Sequence, residues 1–259
     1  FAPVWVVVFQ GQLTGLKLLA LWGAWHLLRR GREVPAGAAL ALLAVKPQFL
    51  LLPGAYLLLT RRWRALAGLA LAGAVLVGVS YAMVGPAGLA GYARMLAAAP
   101  DLGDALTVHP QKMFSLRGLL HRLAGSDALG DVLVPWLAGL AAVGAALAWA
   151  WQPARRGERG DLLDLDWALL AVAMVVTSPQ ANLHSLALLT VAGVLATRHA
   201  LAHEAADGAL RLLPWAFGAG AALATALTVA APQAMVPVWL AVEGAWLGLL
   251  LWAAGRRRA

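Results

Sequence analysis

The chain has no cysteine, which excludes disulfide staples and thiolate metal sites and leaves the redox compartment open. It is also short of charge. Only 12% of its 259 residues are Asp, Glu, Lys or Arg, against 62% that are hydrophobic. Soluble domains average about 25% charged and about 45–50% apolar. A water-soluble core of this size needs a polar shell that the composition does not supply, so lipid is the solvent that fits. Acidic residues are the scarcer sign, 12 against 20 Lys and Arg, for a net charge of +8. Basic chains often bind nucleic acid. Here the cations sit in short clusters between long apolar runs instead of along one face, and nucleic acid is excluded as a partner. Also missing are a nucleotide-binding glycine loop, a zinc-spaced His pair, a Ser/His/Asp array and a solenoid-type repeat. Phe1 opens within an apolar stretch, with neither an initiator Met nor a signal-peptide head. The expectation is the carboxy-terminal part of a longer protein.

What the chain does have is apolar runs of membrane-spanning length. A spanning helix needs about 20 apolar residues, and cytoplasmic loops collect Lys and Arg. The first run, about Leu13 to Leu28, ends at Arg29, Arg30 and Arg32. The next, Val34 to Thr60, is basic at both flanks, because Arg61, Arg62 and Arg64 follow it. A straight helix cannot return to its own side. Lys46-Pro47 supplies the break, since proline disfavours helix at the residue before it. The reading is a re-entrant hairpin of two short helices, Pro35–Val45 and Gln48–Thr60. Further crossings are expected at Ala65 to Val84, Val132 to Trp151, Leu162 to Thr177, from the turn Ser178–Leu183 down to Arg198, Leu212 to Ala230, and Val236 to Ala254. Residues 85–131 form a long, more polar extracytoplasmic loop, with a short interfacial helix at Tyr92 to Ala99. In this topology four cations (Arg94, Lys112, Arg117, Arg122) are in the outer loop and two (Lys17, Lys46) within the membrane. The other fourteen are cytoplasmic. The carboxy terminus is then cytoplasmic, and residues 1–259 form a single transmembrane domain of an inner (plasma) membrane protein. Trp63, Trp136, Trp151, Trp215 and Trp239 stand near helix ends, where interfacial belts favour tryptophan. The many Ala and Gly residues suit close helix packing, but they also suit a GC-rich genome.

Polar groups at membrane depth are costly and mark candidate sites. Gln10, Thr14 and Lys17 share one helical face, with Gln12 beside them: either a stripe lining a substrate cavity, or interhelical hydrogen bonding plus a snorkelling lysine. Lys46 at the hairpin tip suits an anionic group. In the outer loop, Ser115 is placed to cap a helix carrying Arg117 and His121, and Arg117 has the planar fork that grips phosphate. The alternative is an amphipathic helix on lipid headgroups. His184 follows the polar turn and faces the same side as the outer loop; a lone His is more often structural. Glu243 is expected to neutralise Lys17 or Lys46. With these groups on the outer face, a lipid-linked substrate fits better than a cytoplasmic nucleotide.

In order along the chain, Gly11-Gln12, Ala44-Val45-Lys46-Pro47, Arg61-Arg62-Trp63-Arg64, Ser115-Leu116-Arg117-Gly118-Leu119-Leu120 and Ser178-Pro179 followed by His184 resemble the bacterial membrane glycosyltransferases of family 87. The resemblance covers roughly Gln10 to His199. It implies an all-α, polytopic transmembrane helical bundle of GT-C type with a re-entrant hairpin and interfacial loop helices. It also implies inverting transfer of a sugar, mannose in the actinobacterial members, from a polyprenyl-phosphate donor to a glycolipid or glycan acceptor outside the cytoplasm. Lys46 and Arg117 would then bind the donor phosphate, and Gln10, Gln12, Ser115 and His184 would orient substrates. No metal or other cofactor is required if cations neutralise the leaving group. The catalytic base of such enzymes is an acid in an earlier loop, so none is assigned here, and these residues alone are expected to be inactive. Neither Asp101 nor Asp104 has a spacing that recommends it. The rival reading is a transporter or flippase-like permease, which predicts inverted repeats that are not seen. A third is a non-catalytic membrane subunit.

Overall fold

The structure, a computed structural model, describes residues 13–98, 110–152, 159–203, 208–230 and 235–256. Among these the chain is helical, with no strand. In lipid the backbone has no water to bond, and helices satisfy their own amides and carbonyls. The helices are α1 (Thr14–Arg29), α2 (Glu33–Leu40), α3 (Leu51–Leu59), α4 (Trp63–Ala98), α5 (Leu116–Ala124), α6 (Leu129–Ala150), α7 (Arg159–Val176), α8 (Leu189–His203), α9 (Leu212–Ala230) and α10 (Met235–Arg256). Among the described residues, four stretches are long and apolar enough to cross a membrane: Trp63–Met95, Leu129–Ala150, Ser185–Ala202 and Val236–Gly255. The protein is therefore a multi-pass helical bundle.

The hairpin forms as the sequence reading expects. Helix α2 tightens into a 3₁₀ turn, Ala41–Val45, and the chain stops being helical at Lys46 (φ −139°, ψ 93°) before a second 3₁₀ turn, Pro47–Leu50, leads into α3. The break is the one Pro47 imposes on its predecessor. At the far flank of each short turn the chain reverses through a left-handed residue, Gly31 (φ 69°) after α1 and Arg61 (φ 49°) after α3. In both turns an Arg amide reaches back five residues, Arg32 to the Leu27 carbonyl and Arg62 to the Leu57 carbonyl.

The cation-bearing helix ends gather at one end of the bundle. Asp164, near the start of α7, is buried and accepts from Arg29 (3.3 Å) and from the Trp25 indole N–H (3.0 Å), with Arg198 at 3.6 Å. Both guanidinium groups also lie over the Trp25 ring. Arg62 pairs with Glu33 at 3.3 Å, and the Tyr56 hydroxyl donates to Asp166 at 3.3 Å. Tyr56 is packed edge-on between Trp151 and Trp167. Trp151 and Trp239 are thus buried in protein instead of standing in a lipid belt, whereas Trp63 and Trp215 are exposed.

Helix α7 is the hub. Every residue from Trp167 to Val175 is buried, as expected of a helix that is apolar all round and enclosed by others. It packs against α8 and α10, with α1 and α3 on further sides. By contrast α4 and α6 keep most of their surface free of other protein. The α2–α4 contact is a small-residue crossing. A Cβ on Gly37 would come within 1.7 Å of the Ala65 carbonyl oxygen, and one on Gly68 within 2.1 Å of the Val34 carbonyl oxygen. Backbones approach this closely only where no side chain intervenes.

The crossing from Ala65 ends at Val84 as expected: Gly85 (φ 65°, ψ −179°) leaves helical geometry, and a second helical stretch begins at Pro86 and runs to Ala98, earlier than the helix expected at Tyr92. The start of the expected loop is therefore helical, and Tyr92 lies in this second stretch; Ala99 is outside the described residues. The positive-φ glycine and the missing proline amide end one helix and start the next across a sharp kink.

Gly37→Val should lower the unfolding midpoint of the detergent-solubilised protein sharply, because the clash is with backbone and overpacking costs about 1–3 kcal/mol or more. Gly73→Val, at an open position on α4, should leave the midpoint within about 1 °C of wild type. Equal midpoints in a thermal scan would refute the crossing.

Candidate functional site

Two groups of residues lie away from the Arg-rich end. The first surrounds the hairpin tip. Thr14 and Lys17 on α1 are each 1% exposed. The Lys17 ammonium sits 4.4 Å from the centre of the Phe49 ring. Phe49 donates its amide to the carbonyl of Lys46 at 2.9 Å, so the turn that covers Lys17 is the turn that carries Lys46. Lys46 itself is half-buried. Its height follows from helix geometry. The eight α-helical and five 3₁₀ residues that lead to it rise about 22 Å, short of the about 30 Å of a hydrocarbon core.

No carboxylate pairs with either lysine among the described residues. The expected partner, Glu243, is elsewhere. It is fully buried between Trp239 and Trp246 on the inward face of α10, and neither of its oxygens has a hydrogen-bond partner. The expectation of a Glu243 ion pair is therefore wrong: α10 turns this face to α7 and α9, while the lysines lie on α1 and the hairpin. Thr14 Oγ1, Lys17 Nζ and Ser185 Oγ are also buried without partners. Ser185 belongs to the 3₁₀ turn Leu183–Leu188, which packs on α1. Native interiors rarely tolerate such groups.

The second group is the loop helix α5. Ser115 caps it as expected, fully buried and accepting from the Gly118 amide at 3.5 Å. Gly118 is required, because a Cβ there would meet the Met113 carbonyl oxygen at 2.2 Å. Arg117 donates Nε–H to His121 Nε2 at 3.3 Å and lies over the Trp136 ring. His121, itself buried, donates from Nδ1 to the Ser126 carbonyl at 2.8 Å, which leaves Nε2 as the acceptor Arg117 needs. Burial holds the Arg117 guanidinium below its ordinary pKa, though an arginine remains charged at physiological pH. Arg122 donates to the Gln111 carbonyl. The segment is fastened to the turn after α7 by the Phe114 amide, which donates to the Ala181 carbonyl at 2.6 Å.

The structure thus brings Lys17 to the Lys46 turn, and the loop segment to the Ser178–Leu183 turn. It does not join Arg117 to Lys46 by any direct contact among the described residues. Gln10 and Gln12 lie outside the described residues, as do Asp101 and Asp104. His184 is in the Leu183–Leu188 turn. Phe49 and Ser185 escaped the sequence reading. Phe49 was detectable as the ring one 3₁₀ turn after Lys46, whereas nothing local marks Ser185.

The model of glycosyltransferase family 87 matches residues 1–179. The chain belongs to glycosyltransferase family 87. Family membership makes it a membrane glycosyltransferase, and the matched span takes in the hairpin, the loop helix and the turn as far as Pro179. His184 lies beyond that span. Comparison with curated proteins and with solved structures gives no match.

His121→Phe should cost about 1–3 kcal/mol, because it removes the acceptor of Arg117 and the donor to Ser126 in a buried site. A thermal unfolding scan reads the loss. An unchanged midpoint would mean that the bond network does not hold α5.

Proposed function

We propose that the protein transfers a sugar, mannose by the family resemblance, from a polyprenyl-phosphate donor to a glycolipid or glycan acceptor. The Arg-rich end and the carboxy terminus face the cytoplasm of an inner-membrane protein, and the chemistry takes place on the opposite side of a GT-C-type bundle. The observation that carries this reading is Lys46: a cation with no acidic partner among the described residues, at a helix break well along an apolar arm and inside the family-matched span. Such a cation suits a phosphate delivered on a lipid. Family membership favours transfer over the transport reading.

In the proposed step the acceptor hydroxyl oxygen attacks the anomeric carbon. The bond from that carbon to the phosphate oxygen breaks, and the polyprenyl phosphate leaves with the electron pair. Lys46 and Arg117 stabilise the charge that builds on the leaving group. Gln10, Gln12 and His184 orient the substrates, and Ser115 acts by positioning the helix that bears Arg117. The acceptor proton passes to a carboxylate outside the residues assigned here.

The test uses the product of the complete gene, radiolabelled polyprenyl-phosphate mannose and membrane lipids. Lys46→Ala should cut transfer by about 10²–10³-fold, the range for one lost oxyanion donor. Arg117→Ala should cut it by at least about tenfold, with unfolding midpoints near wild type in both. Wild-type rates in both variants would refute the phosphate assignment, and no transfer by the well-folded parent from several phosphosugar donors would refute the reaction.

A further inference from the structure

Lys17 is the feature that the proposed reaction leaves unexplained. Its side chain is 1% exposed, and its ammonium has no hydrogen-bond partner. A buried charge is stable only when paired. Among the described residues no carboxylate bridges it, and the turn whose Phe49 covers it carries a second cation, Lys46. Its single compensating contact is the Phe49 ring face at 4.4 Å, a modest attraction. For holding helices together, an apolar side chain of similar volume serves as well or better. Two adjacent like charges at this depth become favourable when an anion joins them.

The position limits the anion. Lys46 lies about 22 Å along the hairpin arm from the Arg-rich end, beneath the far edge of the about 30 Å hydrocarbon layer. A ligand reaching that level is carried by its own hydrocarbon. The charge count limits it further. A sugar-bearing phosphodiester has one negative charge, and the phosphomonoester left after transfer approaches two. An ammonium group added to Lys46 and Arg117 favours the second more than the first, and binding that tightens as charge develops lowers the barrier to chemistry.

We infer that Lys17 is a further cation of the donor-phosphate site, beside Lys46 and Arg117, and that it makes the site hold the phosphate of a prenyl chain more strongly as the departing monoester than as the sugar-bearing diester. This rests on the sugar-transfer reading for its mechanism, although the phosphate site is testable without it. Phe49 covers Lys17 from the Lys46 side, so the ring moves aside, or the Lys17 charge acts on the phosphate across it.

The probe is farnesyl phosphate, with farnesol and inorganic phosphate as controls, added to the product of the complete gene in lipid nanodiscs. Wild type should bind farnesyl phosphate at least about tenfold more tightly than either control. Lys17→Met and Lys46→Met should each weaken that binding by about tenfold or more, and the double variant should lose less than the product of the two single losses, as coupled sites do. Lys17→Arg should stay within a few-fold of wild type. Lys17→Met should also raise the unfolding midpoint by roughly 2–4 °C, since it removes an unpaired buried charge; a structural lysine would give a lower midpoint. In the transfer assay Lys17→Met should lower kcat by about tenfold or more with KM little changed. Wild-type kcat and farnesyl phosphate affinity in Lys17→Met would overturn the inference and leave sugar transfer standing. Farnesyl phosphate binding that needs both lysines, in a protein that transfers no sugar, would uphold the site and overturn the reaction. Equal binding of inorganic phosphate would overturn the lipid-borne source.

Discussion

The bundle depends on one carboxylate. Asp164 is buried at the Arg-rich end, and it fixes α1 through Arg29 and Trp25 and α8 through Arg198, while itself belonging to α7. Three helices pinned at one level keep their register along their length. Lys17 lies twelve residues from Arg29, Val176 twelve from Asp164, and Leu186 twelve from Arg198. At 1.5 Å per residue each is about 18 Å up the bundle. The 3₁₀ turn that contains Leu186 does pack on α1. The ion cluster at one end thereby aligns the polar groups at the other, with no covalent or metal staple.

Around this frame the molecule divides its polar groups by whether they are satisfied. At the Arg-rich end the carboxylates have partners: Glu33 has Arg62, Asp166 has Tyr56, and Asp164 has three donors around it. On α5 the same holds: Arg117 donates to His121 and His121 to the Ser126 carbonyl, while Arg122 donates to the Gln111 carbonyl. Near the hairpin tip the pattern reverses, and Thr14, Lys17 and Ser185 are buried without partners. Unsatisfied polar groups are costly in a low-dielectric interior; others are the Trp136 and Trp151 indoles and Glu243, but at the hairpin tip the unpartnered group is a cation. Thr14 and Lys17 lie inside the stretch matched by the family model, and Ser185 just beyond it.

Much of this was legible in the sequence because membrane physics writes in long strokes. Apolar length and Arg clusters located the helices, and the two basic flanks of Val34–Thr60 together with Lys46-Pro47 required the hairpin. Ser115 read correctly as a cap because its chemistry is local. What failed was pairing at a distance. Glu243 and the lysines looked complementary by sign, yet they face different neighbours, and sign alone does not orient a helix. Asp164 went unnoticed, although an acid at a basic helix end was a usable signal. The packing signal of Ala and Gly was discounted because both also suit a GC-rich genome; only geometry separates Gly37 and Gly68, which touch the backbone of a facing helix, from the glycines that face open space. The end of the crossing at Val84 was legible and the structure breaks there at Gly85, but the next helix starts at Pro86, before the Tyr92 that the sequence reading gave it.

The enclosure of α7 has a consequence for how the helix is held. Its residues Trp167–Val175 are buried in protein, while Asp161, Asp164 and Asp166 crowd its first turns. A segment with three carboxylates partitions poorly into lipid by itself. The turn that joins it to α8 is short, and the two helices pack along each other. The neighbouring stretch Ser185–Ala202, by contrast, is apolar enough to cross a membrane. The hub of the bundle thus keeps its place by meeting protein where a lone segment would meet lipid.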